Sequence, residues 1–184
     1  MATLYFKWLY PQSRIYCFEP DPTTFGVLQK NISANRLSNV VAHNCALWSE
    51  DATIPFFVDP SVKGSLRMAG DAGRLTNASE ISVPARLLST FIHEPIDFLK
   101  LDVEGAEQKV VCDLAESGRI NNVRQMGVEY HHSPGDQPSR LGAFLATLES
   151  VGFDYQIIAT FRPLTAQDQQ QDILIRAYRR TNAP

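Results

Sequence analysis

Cysteine, methionine and tryptophan are all scarce in this sequence, no apolar run is long, and neither sign of charge is concentrated. Cys17, Cys45 and Cys112 are odd in number and far apart, which excludes a disulfide scaffold or a cysteine metal cage and reads as reduced core thiols without a chemical role. Nothing approaches the roughly 20 consecutive apolar residues that a membrane helix needs. Residues 1–10 carry only Lys7 ahead of a mixed aromatic segment and show no small-residue cleavage pattern. A signal peptide is therefore not expected, and a cytoplasmic location is. Seventeen basic side chains against twenty acidic ones are spread along the chain, for a net charge of −3, so no electrostatic footprint for nucleic acid emerges. The short basic tail of Arg176, Arg179 and Arg180 reads as a solvated strand end.

What is present is an ordinary folded composition. With 184 residues, 44% of them hydrophobic, the chain has the material for one domain with a proper core, so residues 1–184 are expected to form a single unit. Leu4, Trp8 and Leu9 recur at helical spacing ahead of Pro11, predicting a helix that stops near Tyr10. Residues 14–19, RIYCFE, read as a strand covered on both faces. Pro20-Asp21-Pro22 follows, where Asp21 can cap a helix with Pro22 in its first position and Phe25, Leu28 and Ile32 as its buried stripe.

Further strands are expected at residues 39–43, at 54–58 with 65–68 as a hairpin, at 81–85, and at 96–101, IDFLKL, the last with the character of a central parallel strand. Residues 70–79 form a polar loop rich in turn formers. After residues 102–105 a helix buries Ala106, Val110, Val111 and Leu114 and stops at Gly118. A strand at 123–130 precedes a helix at 138–151, with Leu141, Phe144, Leu145 and Leu148 inward and Gly152 as its stop. Residues 153–160 and 172–179 are two strands with no helix between them, hence antiparallel neighbours. A run of strand and helix closed by an antiparallel pair points to an α/β, Rossmann-like class I methyltransferase sheet, mostly parallel, rather than an all-parallel dinucleotide fold.

In open α/β sheets ligands bind beyond the carboxyl ends of the strands. Glu19 stands there, and a carboxylate at that place can accept hydrogen bonds from both hydroxyls of a ribose. Its other reading, a helix-start acid favoured by the macrodipole, is already filled by Asp21. Asp102, Glu104 and Glu107 in LDVEGAE either cap the next helix or form a site. Gly105 tilts the balance, since glycine in a helix first turn costs about 1 kcal/mol against alanine and is better explained by close approach of a ligand or backbone. In the run from Glu129 to His132, strand alternation puts Glu129 with His131 on one face and Tyr130 with His132 on the other. A histidine there is either a general base or an ordinary loop residue. Asn44, Cys45, Ala46 and Leu47 follow a strand and can line a pocket through backbone groups.

Taken in order, FEPDP at 18–22, HNCALWSE at 43–50, Gly-Ser-Leu at 64–66, LKLDVEGAE at 99–107 and VEYHH at 128–132 resemble the FkbM family of S-adenosylmethionine-dependent methyltransferases, over nearly the whole chain. The resemblance implies methylation of hydroxyl oxygens on a small molecule, sugar or polyketide-like metabolite, with S-adenosyl-L-methionine as cofactor. Carried over by position, Glu19 and Pro20 would meet the ribose, Asn44, Cys45 and Ala46 would border the adenine, and Asp102 with Glu104 would face the methyl-transfer centre. Two departures stand out. The ribose acid of this fold follows a glycine-rich loop by about 20 residues, which places that loop and its strand at or before Met1, so the first strand is expected to be missing. The strand would sit between those bearing Glu19 and Asp102, and its loss would leave them to pair with each other or with a foreign strand, a homo-oligomer included. Leu88-Ser89-Thr90 also stands where relatives carry Leu-Asp-Asp.

In such a reaction an acceptor oxygen displaces sulfur in line, orientation supplies much of the rate, and a base removes the hydroxyl proton. His131 or His132 is the expected base, oriented by Asp102 or Glu129. A variant has Asp102 and Glu129 holding Mg²⁺ to polarise the acceptor. Two rivals stay open: a nicotinamide dehydrogenase, which would also want an acid on a ribose, and a degenerate or truncated domain that keeps the fold and binds a partner.

Overall fold

Helix α1 (Ala2–Leu9) opens the chain, but its buried side is not the expected one. Trp8 is 76% exposed and Leu9 is also on the outside, while Lys7 is buried. The reason is a backbone anchor: Lys7 Nζ donates to the carbonyls of Pro11 at 2.7 Å and Ser13 at 2.8 Å, satisfying a charge that could not otherwise leave water. The computed structural model describes residues 2–58, 66–68, 79–132, 140–158 and 171–179, without the side chains of 66–68, 132 and 171. Of the loop expected at 70–79, residues 70–78 lie outside the described residues, as do Gly64, Ser65, Pro138 and Arg180, while Ser79 already belongs to a strand.

Strand β1 (Ile15–Phe18) runs parallel to β2 (Val40–His43), joined through helix α2 (Pro22–Ala34). Asp21 caps α2 as its sequence position requires, accepting from the amides of Thr23 and Thr24. The expected stripe of Phe25, Leu28 and Ile32 is only half-buried, because α2 rests on a two-stranded sheet that is too narrow to cover it. Among the described residues β1 and β7 (Leu99–Leu101) do not pair with each other, so no described strand bridges the place between them.

A second sheet has the order β3 (Ala46–Leu47), β6 (Ser79–Arg86), β4 (Ala52–Val58), β5 (Leu66–Met68). The expected hairpin is its β4–β5 pair, and Ala46, Phe56, Val83 and Ala85 form its own small core.

The main core lies on the third sheet, in the order β7, β8 (Gln125–His132), β10 (Gln171–Tyr178), β9 (Asp154–Ile158). β7 is parallel to β8, and the last pair is antiparallel as its missing crossover demands, with Leu174 opposite Ile158. The expected strand at 96–101 is shorter than its apolar run: Ile96 makes one parallel bridge to Val123, and pairing resumes at Leu99. Helices α3 (Glu107–Glu116) and α4 (Leu141–Ser150) cover one face. Ala106, Val110, Val111 and Leu114 are 0–1% exposed, and Phe144 and Leu148 are fully buried. Each of these valine, leucine and phenylalanine side chains contributes about 1.5–3 kcal/mol. Gly118 ends α3 region at φ +70, a left-handed stop that only glycine adopts readily.

Arg179 corrects the reading of the basic tail as solvated. Its guanidinium donates to the carbonyls of Val123, Val151 and Ile120 at 2.8–3.1 Å and lies 4.3 Å over the Phe153 ring. The expected core thiols also divide: Cys45 is buried, whereas Cys17 and Cys112 are half-buried, and all three are free.

Candidate functional site

Two groups of polar side chains stand at strand ends. The first is built on the turn after β1. Glu19 N–H donates to the His43 carbonyl, continuing the β1–β2 ladder by one bond, and Glu19 Oε1 accepts from the Asp21 amide at 3.0 Å. Burial pushes the Glu19 carboxyl above its ordinary value, the Asp21 amide opposes this, and repulsion from Asp21 adds to it. Asp21, by contrast, is held below its ordinary value, because bonds from Thr24 and Thr23 outweigh the cost of its burial. The two acids therefore divide the work: Asp21 is consumed by the helix cap, and Glu19 is a part-buried carboxylate that, among the described residues, accepts from the Asp21 amide.

Asn44 secures the same turn, its Nδ2 donating to the Glu19 carbonyl at 2.8 Å and the Pro20 carbonyl at 3.0 Å. Cys45 and Ala46 are 6% and 4% exposed, so what they offer a ligand is backbone. The neighbouring His43 ring is packed on Phe18 and Phe91 at centroid distances of 5.1 and 4.8 Å.

The second group is built on the LDVEGAE turn and the end of β8. Its backbone is unusual: Glu104 has φ +53 and Gly105 φ +100. Gly105 precedes α3 instead of lying in its first turn, so the left-handed turn itself requires the glycine. That turn swings Glu104 and Glu107 onto His131, which is 6% exposed. His131 Nδ1 meets Glu107 Oε1 at 2.8 Å, and Nε2 lies 3.2 Å from Glu104 Oε2. Glu107 Oε1 also accepts from the Gly105 amide at 3.0 Å, and Glu107 is 1% exposed. Burial works against a charged ring, but the bonds and charges of Glu104 and Glu107 outweigh it and raise the His131 pKa to about 10.

The expected orienting acids are thus not the ones found on the ring. Glu107, which sequence spacing leaves open between a helix-start acid and a site residue, takes that place, because the left-handed turn carries it inward. Asp102 is instead paired with Lys100 at 2.5 Å. Glu129 shares the His131 face; burial raises its pKa, repulsion from Asp102 adds to the rise, and His131 and Lys100 oppose it. Donor atoms of Asp102, Glu104 and His131 lie within 4.8 Å of one another, but Lys100 and the imidazole already supply the positive charge. The Asp102–Glu129 pair expected for Mg²⁺ is not this group. His132 is the last pairing position of β8, opposite Gln171; its side chain lies outside the described residues. Among the described residues no hydrogen bond or ion pair joins the Glu19 group to the His131 group.

At the position where the resemblance implied an acid, Ser89 hydrogen-bonds Asp113 of α3 through both its amide, at 2.9 Å, and its hydroxyl, at 2.5 Å. The carboxylate at this junction comes from the helix instead.

Residues 2–155 match the family described as the methyltransferase FkbM domain. The chain is 34% identical to Methyltransferase 1 of Beauveria bassiana (strain ARSEF 2860), over 89% of this chain and 70% of that protein. It is 31% identical to Methyltransferase sdnD of Sordaria araneosa, over 84% and 70%. Its fold is similar to that of the methyltransferase FkbM of Methylobacillus flagellatus KT, with a TM-score of 0.57 and 15% identity. That match covers 95% of this chain, which spans only 40% of the solved protein's length. A precorrin-6y C5,15-methyltransferase of Geobacter metallireducens GS-15 also shares the fold, with a TM-score of 0.50 at 12% identity, over 97% of this chain and 73% of that one. On the match to residues 2–155 and the two curated relatives, the chain belongs to the methyltransferase FkbM domain family.

Proposed function

We propose that the protein transfers a methyl group from S-adenosylmethionine to a hydroxyl oxygen of a small-molecule, sugar or polyketide-like acceptor. The observation that carries the cofactor half is the division of labour after β1: Asp21 caps α2, leaving Glu19 part-buried with a raised pKa. Two ribose hydroxyls are the kind of neutral donor pair that relieves such a carboxylate. Asn44 holds the turn that presents it.

When bound, the cofactor supplies an electrophilic methyl on a sulfonium. His131 is the residue assigned to the proton. In the resting arrangement both ring nitrogens face carboxylates, so the ring is an imidazolium that cannot accept one. An acceptor hydroxyl that displaces Glu104 from Nε2 removes one of the two charges holding the extra proton, which leaves Nε2 through the departing Glu104 carboxylate to solvent, so that the ring becomes neutral with Nδ1–H kept on Glu107. Nε2, then unprotonated, would be placed to take the proton of the attacking hydroxyl. Asp102 and Glu104 line the approach as acceptors for the other acceptor hydroxyls.

Calorimetry with S-adenosylmethionine and with NAD tests the cofactor, using the wild type and Glu19→Gln. Binding of S-adenosylmethionine alone, weakened about tenfold or more in the variant, is expected; loss of one charge-assisted hydrogen bond is worth roughly 1.5–3 kcal/mol. Binding of NAD, or of neither, sinks the reading. Methyl transfer is then assayed with an alkyl glycoside, a phenol and an aliphatic secondary alcohol.

A further inference from the structure

We infer that Glu107 is a positioning residue of the reaction, forming with His131 a buried carboxylate–imidazole dyad that keeps a proton on Nδ1 and turns Nε2 towards the acceptor. The inference rests on the methyl-transfer reading above for its catalytic half, and on geometry alone for the dyad itself.

An acid at the first position of α3 has a plain structural use, because the helix macrodipole favours negative charge there. That use does not require burial, and burial of a carboxylate is costly unless it is paired. Glu107 is 1% exposed, as deep as the apolar residues of α3 around it. Its Oε1 is committed to two donors, the Gly105 amide at 3.0 Å and His131 Nδ1 at 2.8 Å. The amide pins the carboxylate to the backbone of the left-handed turn, and the carboxylate pins the ring. The two contacts of His131 are unequal in kind. Glu107 is buried and fixed on one side, while Glu104 on the other is partly exposed and lies at 3.2 Å. An incoming ligand can exchange with Glu104 and cannot reach Glu107. A base whose second nitrogen is held by a buried acid has its tautomer and direction set before substrate arrives.

The other charges around the ring are Asp102 and Lys100 of the β7 end, Glu129 of β8, and Asp172 of β10, which stands opposite His131 in the ladder. Of the carboxylates, Glu104 and Glu107 alone contact the ring among the described residues.

The test uses the full chain as wild type, Glu107→Gln, Glu107→Asp, His131→Asn and the Glu107→Gln/His131→Asn double variant. Proton–nitrogen correlation spectra of histidine-labelled protein report the titration and tautomer of the ring whose signals vanish in His131→Asn. In Glu107→Gln its titration midpoint should fall by about one unit or more, and the neutral ring should distribute between both tautomers. Methyl transfer to whichever of the three hydroxyl probes is active should lose about 100-fold or more in kcat, with KM for S-adenosylmethionine within about twofold. Glu107→Asp should recover part of that loss, and the double variant should be no slower than His131→Asn. An unchanged His131 titration, an unchanged pH–rate profile in Glu107→Gln, or additive losses in the double variant would overturn the inference. Should Glu107→Gln fail to fold, Glu107→Asp decides, since its shorter arm lengthens the 2.8 Å contact without removing the charge: an unchanged titration there is equally fatal. If the wild type methylates none of the probes, the acceptor reading fails, and the spectra still decide whether the dyad exists.

Discussion

His131 shows how a single side chain takes its character from neighbours that sequence spacing does not pair with it. Its folded pKa is raised to about 10 from 6.5, so the charged ring stabilises the fold fully below pH 6.5, and that contribution is lost as pH rises towards 10. The wild type should therefore lose stability across this window in urea unfolding. His131→Asn should show a flatter profile, and parallel profiles would remove the imidazolium from the account. Arg179 is the second case. Three arginines near one end read as a solvated tail, yet one of them clamps three carbonyls from two loops. Arg179→Ala should cost about 2–3 kcal/mol in chemical denaturation through those bonds and the lost Phe153 contact, whereas Arg176→Ala, on an exposed strand position, should cost less than about 0.5 kcal/mol. The sequence shows which residues can carry charge; only their neighbours show which charges are structural.

Among the elements, the helices were the most legible. The 3.6-residue spacing of Val110, Val111 and Leu114 gave the buried face of α3, and Asp21-Pro22 gave the start of α2 to the residue. The antiparallel end was legible too, because two strands without a crossover helix can pair in no other sense. The turn between β7 and α3 was not. Gly105 carries φ +100, a demand of the backbone that spacing cannot express and that determines where Glu104 and Glu107 point. Gly105→Ala should therefore destabilise by about 1–3 kcal/mol and, in the same variant, shift the His131 titration downward. A stability loss with the His131 signals unmoved would mean that the turn does not orient the dyad. Helix α1 was legible as a helix and not in its facing, since Leu4, Trp8 and Leu9 mark an apolar stripe while the anchor is the ammonium of Lys7.

At the scale of the whole molecule, the described structure divides into regions of unequal burial. α3 and α4 on the four-stranded sheet hold most of the buried side chains, whereas α2 has none and rests on the two strands β1 and β2. Amide exchange should follow that division: amides of α2, β1 and β2 are expected to exchange at least about tenfold faster than those of β8 and β10, because local opening there exposes little apolar surface. Uniform protection would show that one cooperative unit spans both. Added S-adenosylmethionine should slow exchange first around Glu19, if the cofactor reading holds. No helix among the described residues is long and apolar enough to cross a membrane. What the sequence determined by itself was the order and type of the elements, the family, and the strand ends at which chemistry would gather, because periodicity, capping and ordered motifs are local properties of the chain. What only the tertiary structure decided was the partnership of Glu107 with His131, the capture of Arg179, and the separation of β1 from β7. Each of these depends on where a turn or a sheet edge delivers a side chain or strand distant in sequence, and local spacing does not encode that delivery.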